Sequence, residues 1–227
     1  MDTPSTRLDA KLQLAYPELL AHARQLWSSP FIRELYPAYL GTMHMIVRSA
    51  VPLMTSALVQ ANARSANDGI AAGLAPYLTR HIREEAGHDI WLLEDLAATG
   101  ADVGRAVNRF PPPPVAEMVG AQYYWLRHHH PVALLGHLAA IENHHPPIGF
   151  ADRLRSLSGY PSDAFRAIAR HELLDIGHKH ELREVIDSLP LKPEHEKILG
   201  TSALHTMRGM IDVLAGIYAE VVGEKAA

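Results

Sequence analysis

Hydrophobic side chains recur at intervals of three and four residues along almost the whole chain, which is the spacing of one buried helix face. The first such stripe consists of Leu12, Tyr16, Leu19, Leu20, Ala23 and Trp27. No stretch of useful length shows the alternating pattern of a β-strand. The pattern therefore predicts an all-α protein.

Proline and glycine divide this pattern into about seven predicted helices. Gly100 is a predicted helix stop and Ser162 a predicted N-cap. Pro37 and Pro52 are expected to kink the second helix. The predicted helices cover residues 12–27, 31–62, 69–99, 115–127, 131–145, 163–188 and 193–222, with a short helical segment at 146–157.

These helices are expected to form a single bundle. A chain of 227 residues can bury one large core, and the proline-rich run at residues 108–114 is too short to link two domains. That run is predicted to be a stiff, non-helical surface connection. We therefore predict one helical domain over residues 1–227, with a core from about residue 9 to about residue 223.

Composition narrows the range of functions. The net charge of −4 provides no basic surface for nucleic acid, so we expect no nucleic-acid partner. The absence of cysteine excludes disulfides, iron–sulfur clusters and cysteine nucleophiles. The N-terminus does not resemble a secretory signal, and no stretch approaches the roughly 20 apolar residues of a membrane span. We therefore expect a cytoplasmic protein without a membrane partner.

Three predicted helices carry acidic and histidine residues at spacings that suit metal binding. Glu85 and His88 are three residues apart on the third helix, and Glu142 follows an apolar stretch on the fifth. The penultimate long helix carries three candidates at positions i, i+4 and i+7, which share one face: His171, Asp175 and His178.

This residue set has the chemistry of a dinuclear metal site. Carboxylates can bridge two metal ions while imidazoles bind each ion separately, and a carboxylate three residues before a histidine forms half of a diiron site in helical bundles. Such oxygen and nitrogen donors suit iron or manganese. Each motif alone is common on solvated helix surfaces, but an isolated acid in an apolar helix, such as Glu142, is costly without a partner.

The six residues, in this order, resemble the ligand pattern of the heme-oxygenase-like diiron oxidases and oxygenases. The segment Leu174–His178 is especially similar, and Ser29–Phe31 followed by Leu35–Tyr36 resembles that family's first helical turn. The resemblance extends over roughly residues 16–222 and implies a heme-oxygenase-like bundle of seven helices. It also implies these metal ligands: Glu85, His88, Glu142, His171, Asp175 and His178.

The resemblance further implies an iron-dependent oxidoreductase. Two Fe(II) ions per chain, or manganese in their place, would use dioxygen as co-substrate to oxidise an amino acid, amine or fatty-acid-like molecule. The implied outcomes are N-oxygenation, desaturation or oxidative carbon–carbon cleavage, typically in specialised metabolism. Electrons would come from the substrate or from an external donor, because no nucleotide-binding glycine motif is present. A homodimer is compatible with a bundle of this size.

Several neighbouring residues remain alternatives or supporting groups. Family members place the first carboxylate three or seven residues before the histidine, and position 81 is a histidine, so Glu85 is the first choice and Glu84 the alternative. Residues that would support the ligands or contact substrate are His81, Glu84, Asp89 and His145. The remaining histidines are interpreted as solvated helix ends, surface groups or core-edge groups: His22, His44, His128, His129, His130, His137, His144, His180, His195 and His205.

Three arginines are considered for a substrate carboxylate, although each is more typical of a solvated surface charge: Arg83, Arg127 and Arg170. Other functions are also weighed. A thiaminase-like hydrolase of the same fold would need a cysteine nucleophile, which the chain lacks. A heme oxygenase would need an early axial histidine, for which His22 is the candidate, and would leave the six-residue set unexplained. A cofactorless oxidase of this fold or a non-enzymatic helical binding protein would require no metal.

Overall fold

Helices account for nearly all of the part of the chain that the computed structural model describes, residues 2–143 and 146–226. Within those ranges there are eleven α-helices, and the 3-10 helix Ser162–Phe165 precedes α10. The helices are α1 Pro4–Trp27, α2 Ile32–Val47, α3 Ala50–Arg64, α4 Gly69–Glu85, α5 His88–Ala98, α6 Val103–Asn108, α7 Pro113–His128, α8 Ala133–Glu142, α9 Phe150–Ser158, α10 Arg166–Ser188 and α11 Pro193–Ala226. The all-α prediction is confirmed.

The expected number of about seven helices is wrong. Two predicted long helices are each divided, which gives nine, and the short helices α6 and α9 bring the number to eleven. The predicted helix 31–62 ends at Val47 and restarts at Ala50. Pro52 explains this break, because it has no N–H to donate to the carbonyl of Arg48 and its ring would clash with that carbonyl in a continuous helix. Proline is tolerated in the first turn of α3. Pro37, by contrast, lies inside α2 without interrupting it.

The predicted helix 69–99 is divided at Ala86 and Gly87. Ala86 is extended, with φ −64° and ψ 117°, and Gly87 is left-handed, with φ 92°. A left-handed residue costs little only when it is glycine, so Gly87 permits the sharp turn between α4 and α5. Their spacing predicted that Glu85 and His88 share one face of a single helix, and this prediction is wrong. They end and begin two separate helices.

The non-helical connection in the proline-rich run is shorter than the predicted residues 108–114. Asn108 still belongs to the short helix α6, and Pro113 and Pro114 open α7. Proline suits the first helical positions because the amide hydrogens there have no helical partner. The predicted stop at Gly100 is confirmed, since this glycine is left-handed after the end of α5.

Helix α8 runs through the centre of the bundle. Every residue from Ala133 to Ala140 is buried, and Glu142 at its end is also buried. Gly136 allows α8 to approach α11 closely, because a Cβ atom at this position would lie 2.1 Å from the carbonyl oxygen of Leu199. This close contact fixes the position from which α8 presents Glu142.

Two buried carboxylates fix the start of α10. Asp95 on α5 accepts a hydrogen bond of 2.8 Å from the amide of Ala167. Glu172 accepts bonds of 2.7 Å from the amides of Gly149 and Ala151, and this attaches the start of α9 to α10. Hydrogen bonds to an ionised acceptor are stronger than neutral ones, so these two contacts hold three helices together.

One stretch is more apolar than we expected when we predicted that no segment approaches the composition of a membrane span. Ile32–Arg64, which contains α2 and α3, has a window of mean hydropathy 1.2, of which 44% is buried inside the protein. Buried residues of these helices include Leu40, Met45 and Leu53, which belong to the core. A core helix of a folded protein shows the same composition, so the stretch is weak evidence for a span.

Replacing Gly136 with alanine tests the importance of the α8–α11 contact. We expect the free energy of unfolding to fall by about 1–3 kcal/mol, because the new methyl group must push two backbones apart. Gly120→Ala on α7 is the matched control, since nothing lies within 4 Å of the added Cβ. That change should raise stability by about 0.5–1 kcal/mol through helix propensity. If urea unfolding gave the same change in the free energy of unfolding for both variants, the α8–α11 contact would not be tight.

Candidate metal centre

The six predicted ligands come from the ends of three helices and the length of a fourth. Glu85 ends α4, His88 begins α5 and Glu142 ends α8. The other three, His171, Asp175 and His178, lie along α10. The contacts described below connect all six, so the structure brings the whole predicted set into one buried region.

Glu85 lies between two histidines that come from different helices. Its Oε2 is 3.1 Å from Nδ1 of His88, and its Oε1 is 3.6 Å from Nδ1 of His178. Asp175 Oδ1 is 3.8 Å from the same nitrogen of His178. One carboxylate thus faces two imidazoles, each through a separate oxygen atom.

His171 is oriented by the backbone of its own helix. Its Nδ1 donates a hydrogen bond of 2.8 Å to the carbonyl of Ala167, which leaves Nε2 as the free nitrogen. The ring lies 5.0 Å from that of His88, with an interplanar angle of 85°. Because Asp95 binds the amide of the same Ala167, the buried Asp95 indirectly positions His171.

Glu142 is connected to the other residues through His81. The Nε2 of His81 donates a hydrogen bond of 2.9 Å to Oε1 of Glu142, and the His81 ring lies 4.9 Å from the His178 ring. Burial lowers the pKa of His81, but the carboxylates of Glu142 and Glu85 outweigh this effect and raise the pKa to about 9. His81 therefore supplies a positive charge beside the acids in the metal-free protein.

Several polar atoms of this cluster are buried without hydrogen-bond partners among the described residues. They are Oε2 of Glu142 and the Nδ1 atoms of His88 and His178. A buried polar atom without a partner costs about 1–3 kcal/mol, and buried native groups are rarely left so. The two histidine nitrogens face Glu85 without forming a hydrogen bond of good geometry, and polar atoms of this kind that converge from three helices fit a site that binds a metal cation.

The acids of the cluster have altered protonation. Burial and the charges of Glu142 and Glu85 raise the pKa of Asp175 to about 8. Burial also opposes ionisation of Glu85, but the neighbouring His88, His81 and His178 lower its pKa overall. Three carboxylates in one buried region repel each other, so a positive charge in their midst would stabilise their ionised forms.

Of the four supporting residues, two contact the cluster. His81 binds Glu142 and also approaches Glu84, whose Oε2 is 3.3 Å from its Nδ1. His81, Glu84 and His178 have ligand atoms within 4.8 Å of one another, so this trio could itself hold a metal ion. Asp89 is half-buried, and His145 lies outside the described residues.

The interpretation of the other histidines needs three corrections, and His144 lies outside the described residues. His137 is buried rather than a surface or core-edge group, and its Nδ1 lies 2.9 Å from the hydroxyl of Thr206. His44 is buried as well. His128 and His129 are exposed at the end of α7, as expected, whereas His130 is buried and donates a hydrogen bond to Asp68.

A cavity of about 470 Å³ opens onto the cluster and is lined mainly by apolar side chains. Glu85, Glu142, His171 and Asp175 form part of its wall. It lies between two groups of core residues, one that contains Leu138 and Ala140 and one that contains Met43 and Ile168. Its volume is in the range of small-molecule binding pockets. Sequence spacing gave no sign of this cavity, because its wall comes from many separate elements.

Three solved structures share this fold at low sequence identity. A protein of Shewanella denitrificans with a domain of unknown function and a heme oxygenase-like fold superposes with a TM-score of 0.81 and 17% identity, covering 95% of this chain and 92% of that one. A TenA homolog of Pseudomonas syringae pathovar tomato gives 0.65 at 13% identity, covering 90% and 91%. A CADD-like protein of unknown function from Nostoc punctiforme gives 0.64 at 16% identity, covering 96% and 97%.

These likenesses establish a heme-oxygenase-like fold, which the sequence predicted. No curated protein sequence matches the chain. A sequence model of a protein family, described as iron-containing redox enzyme, matches residues 37–213. The matched region covers more than half of the chain and includes the whole candidate cluster. The chain therefore belongs to the family of iron-containing redox enzymes.

Proposed function

We propose that this protein is an oxidoreductase that binds two iron ions between Glu85, His88, Glu142, His171, Asp175 and His178 and uses dioxygen to oxidise a small molecule. The observation that supports it most strongly is the position of Glu85, whose two oxygens face Nδ1 of His88 and Nδ1 of His178. A carboxylate that faces one imidazole through each of its two oxygens is suited to hold a metal ion beside each imidazole. Membership in an iron-containing family supports iron as the metal.

The donor set fits this cofactor. Nitrogen and carboxylate oxygen ligands suit iron and manganese, while the absence of cysteine removes the thiolates that select other metals. Three carboxylates largely balance the charge of two divalent ions. In this assignment Glu85 would hold the ions together with His88 and His178, which it faces through separate oxygens, and His171, Asp175 and Glu142 would complete the set.

Bound iron would supply the reductive activation of dioxygen, which amino-acid side chains cannot perform. The protein's own residues prepare the site for that chemistry. The hydrogen bond to Ala167 directs Nε2 of His171 away from its helix backbone, and His81 holds one oxygen of Glu142. The apolar walls of the cavity limit water around the substrate, which suppresses side reactions of oxidising species.

The cavity also indicates the size and character of the substrate. Its inner wall contains Glu85, Glu142, His171 and Asp175, and much of the remaining surface is apolar. A small molecule with a substantial apolar part would bind there with the bond to be oxidised beside the acids. This supports a fatty-acid-like or otherwise apolar substrate over a small, fully polar amino acid.

Anaerobic titration with ferrous iron tests the proposed function. We expect two iron ions per chain, and a new ultraviolet–visible absorption on mixing with oxygenated buffer. His171→Ala should abolish the absorption, because it removes a nitrogen ligand. His180→Ala is the matched control, since this exposed histidine lies on the same helix and, among the described residues, pairs only with the exposed Glu184. Normal iron uptake and absorption in the His171→Ala protein would refute the ligand assignment.

The raised pKa of Asp175 gives a second prediction, on stability. A carboxyl whose pKa is higher in the folded state stabilises the fold fully below its ordinary pKa, and this contribution is lost as pH rises through about 8. His81, with its pKa raised to about 9, acts in the same direction over the upper part of that range. We therefore expect the melting temperature of the metal-free protein to fall from about pH 6 to about pH 8.5.

Asp175→Asn should flatten this dependence and raise the melting temperature of the metal-free protein at about pH 8 by a few degrees. It should also remove the stabilisation that ferrous iron gives to the unsubstituted protein, because a ligand is lost. Asp152→Asn, at an exposed position on α9, is the control and should change neither property. An unaltered pH slope in the Asp175→Asn variant would show that the buried acid is not the cause.

A further inference from the structure

The cavity is elongated along α1. The residues of α1 and its C-cap that line it form one continuous helical stripe: Tyr16, Leu19, Leu20, Ala23, Arg24, Trp27 and Ser28. With a rise of 1.5 Å per residue, this stripe extends over about 18 Å. An extended apolar molecule would therefore lie parallel to α1.

Charge is distributed unequally over the cavity wall. The acidic residues that line it are the three candidate ligands Glu85, Glu142 and Asp175. The lysines and arginines that line it are Arg24 and Arg153 alone, among the described residues. Neither guanidinium group forms an ion pair or a side-chain hydrogen bond with another described residue, so both remain available to a ligand.

The two arginines belong to the same part of the wall. Trp27 and Phe150 pack against each other edge to face, with ring centroids 5.5 Å apart. Arg24 precedes Trp27 by three residues on α1, and Arg153 follows Phe150 by three residues on α9. Residues three apart are neighbours on a helix surface, so each arginine lies beside one ring of this aromatic pair.

This part of the wall is separated from the acidic cluster along the helix axes. Ser5 binds Asp187 and Asp9 binds Arg183, which fixes α1 and α10 in an antiparallel register. Continuing that register places Arg24 at the level of Ile168, which also lines the cavity. Asp175 is seven residues further along α10, or about 10 Å. Apolar side chains occupy the wall between them.

We propose that Arg24 and Arg153 bind the anionic head group of an amphiphilic substrate, such as the carboxylate of a medium-length alkyl acid. The guanidinium group suits this role because its planar donors match the oxygens of a carboxylate. The apolar chain then extends towards Glu85, Glu142 and Asp175, and the head group stays remote from them. This inference rests on the proposed function in one respect, which is that the alkyl chain of the substrate must reach the metal site.

Binding to the metal-free protein tests the inference without any catalytic step. Isothermal titration calorimetry would compare decanoate with 1-decanol, which has the same chain but no charge. We expect decanoate to bind the unsubstituted protein at least about tenfold more tightly, as one charge-assisted hydrogen bond can provide. Decyl phosphate, which offers related oxygen acceptors, would show whether a carboxylate is preferred.

The double variant Arg24→Gln/Arg153→Gln should lose this preference, with decanoate binding weakened about tenfold and decanol binding unaltered. Both side chains are exposed, so a melting curve that matches the original protein would confirm that the fold is intact. Arg155→Gln is the matched control, because Arg155 lies on the same helix, pairs with Asp152 and does not line the cavity. It should keep the full preference for decanoate.

Three results would overturn the inference. The first is that neither amphiphile binds the metal-free protein, and the second is that the double variant keeps the preference. The third is that decanoate is preferred only after ferrous iron is added, which would place the carboxylate at the metal instead. Iron content measured separately distinguishes this failure from failure of the proposed function, because the arginines are not among the proposed metal ligands.

Discussion

The repulsion among three buried carboxylates is the constraint on which the site depends. Glu142 and Asp175 are buried and Glu85 is nearly so, and the pKa of Asp175 is raised to about 8 as a result. Folding brings these acids together because their helices must pack, although the contact itself is unfavourable without cations. In the metal-free protein His81 offsets part of the charge, and two bound cations would offset it fully.

Strong contacts elsewhere maintain this unfavourable cluster. The close approach of α8 to α11 at Gly136 fixes Glu142, while Asp95 and Glu172 fix the start of α10 and with it His171. The turn at Gly87 directs both Glu85 and His88 inward from separate helices. The resulting ligands belong to elements that are each anchored in the core, which is what a preorganised metal site needs.

Sequence alone predicted the all-α fold and the residues that meet, because helical spacing places His171, Asp175 and His178 on one face of a continuous helix. It missed the helix boundary at Gly87, since a local left-handed turn leaves the apolar pattern on both sides intact. It also missed the burial of His137 and the pair formed by Arg24 and Arg153. Those depend on packing between distant elements, for which no local pattern exists.

Anomalous X-ray diffraction at the iron absorption edge, on crystals grown anaerobically with ferrous iron, tests the central claim most directly. Our account predicts two peaks in each chain, both within coordination distance of Glu85, with one adjoining His88 and the other adjoining His178. A single peak held by His81, Glu84 and His178 and remote from Asp175 would contradict it, as would the absence of any peak in the cluster.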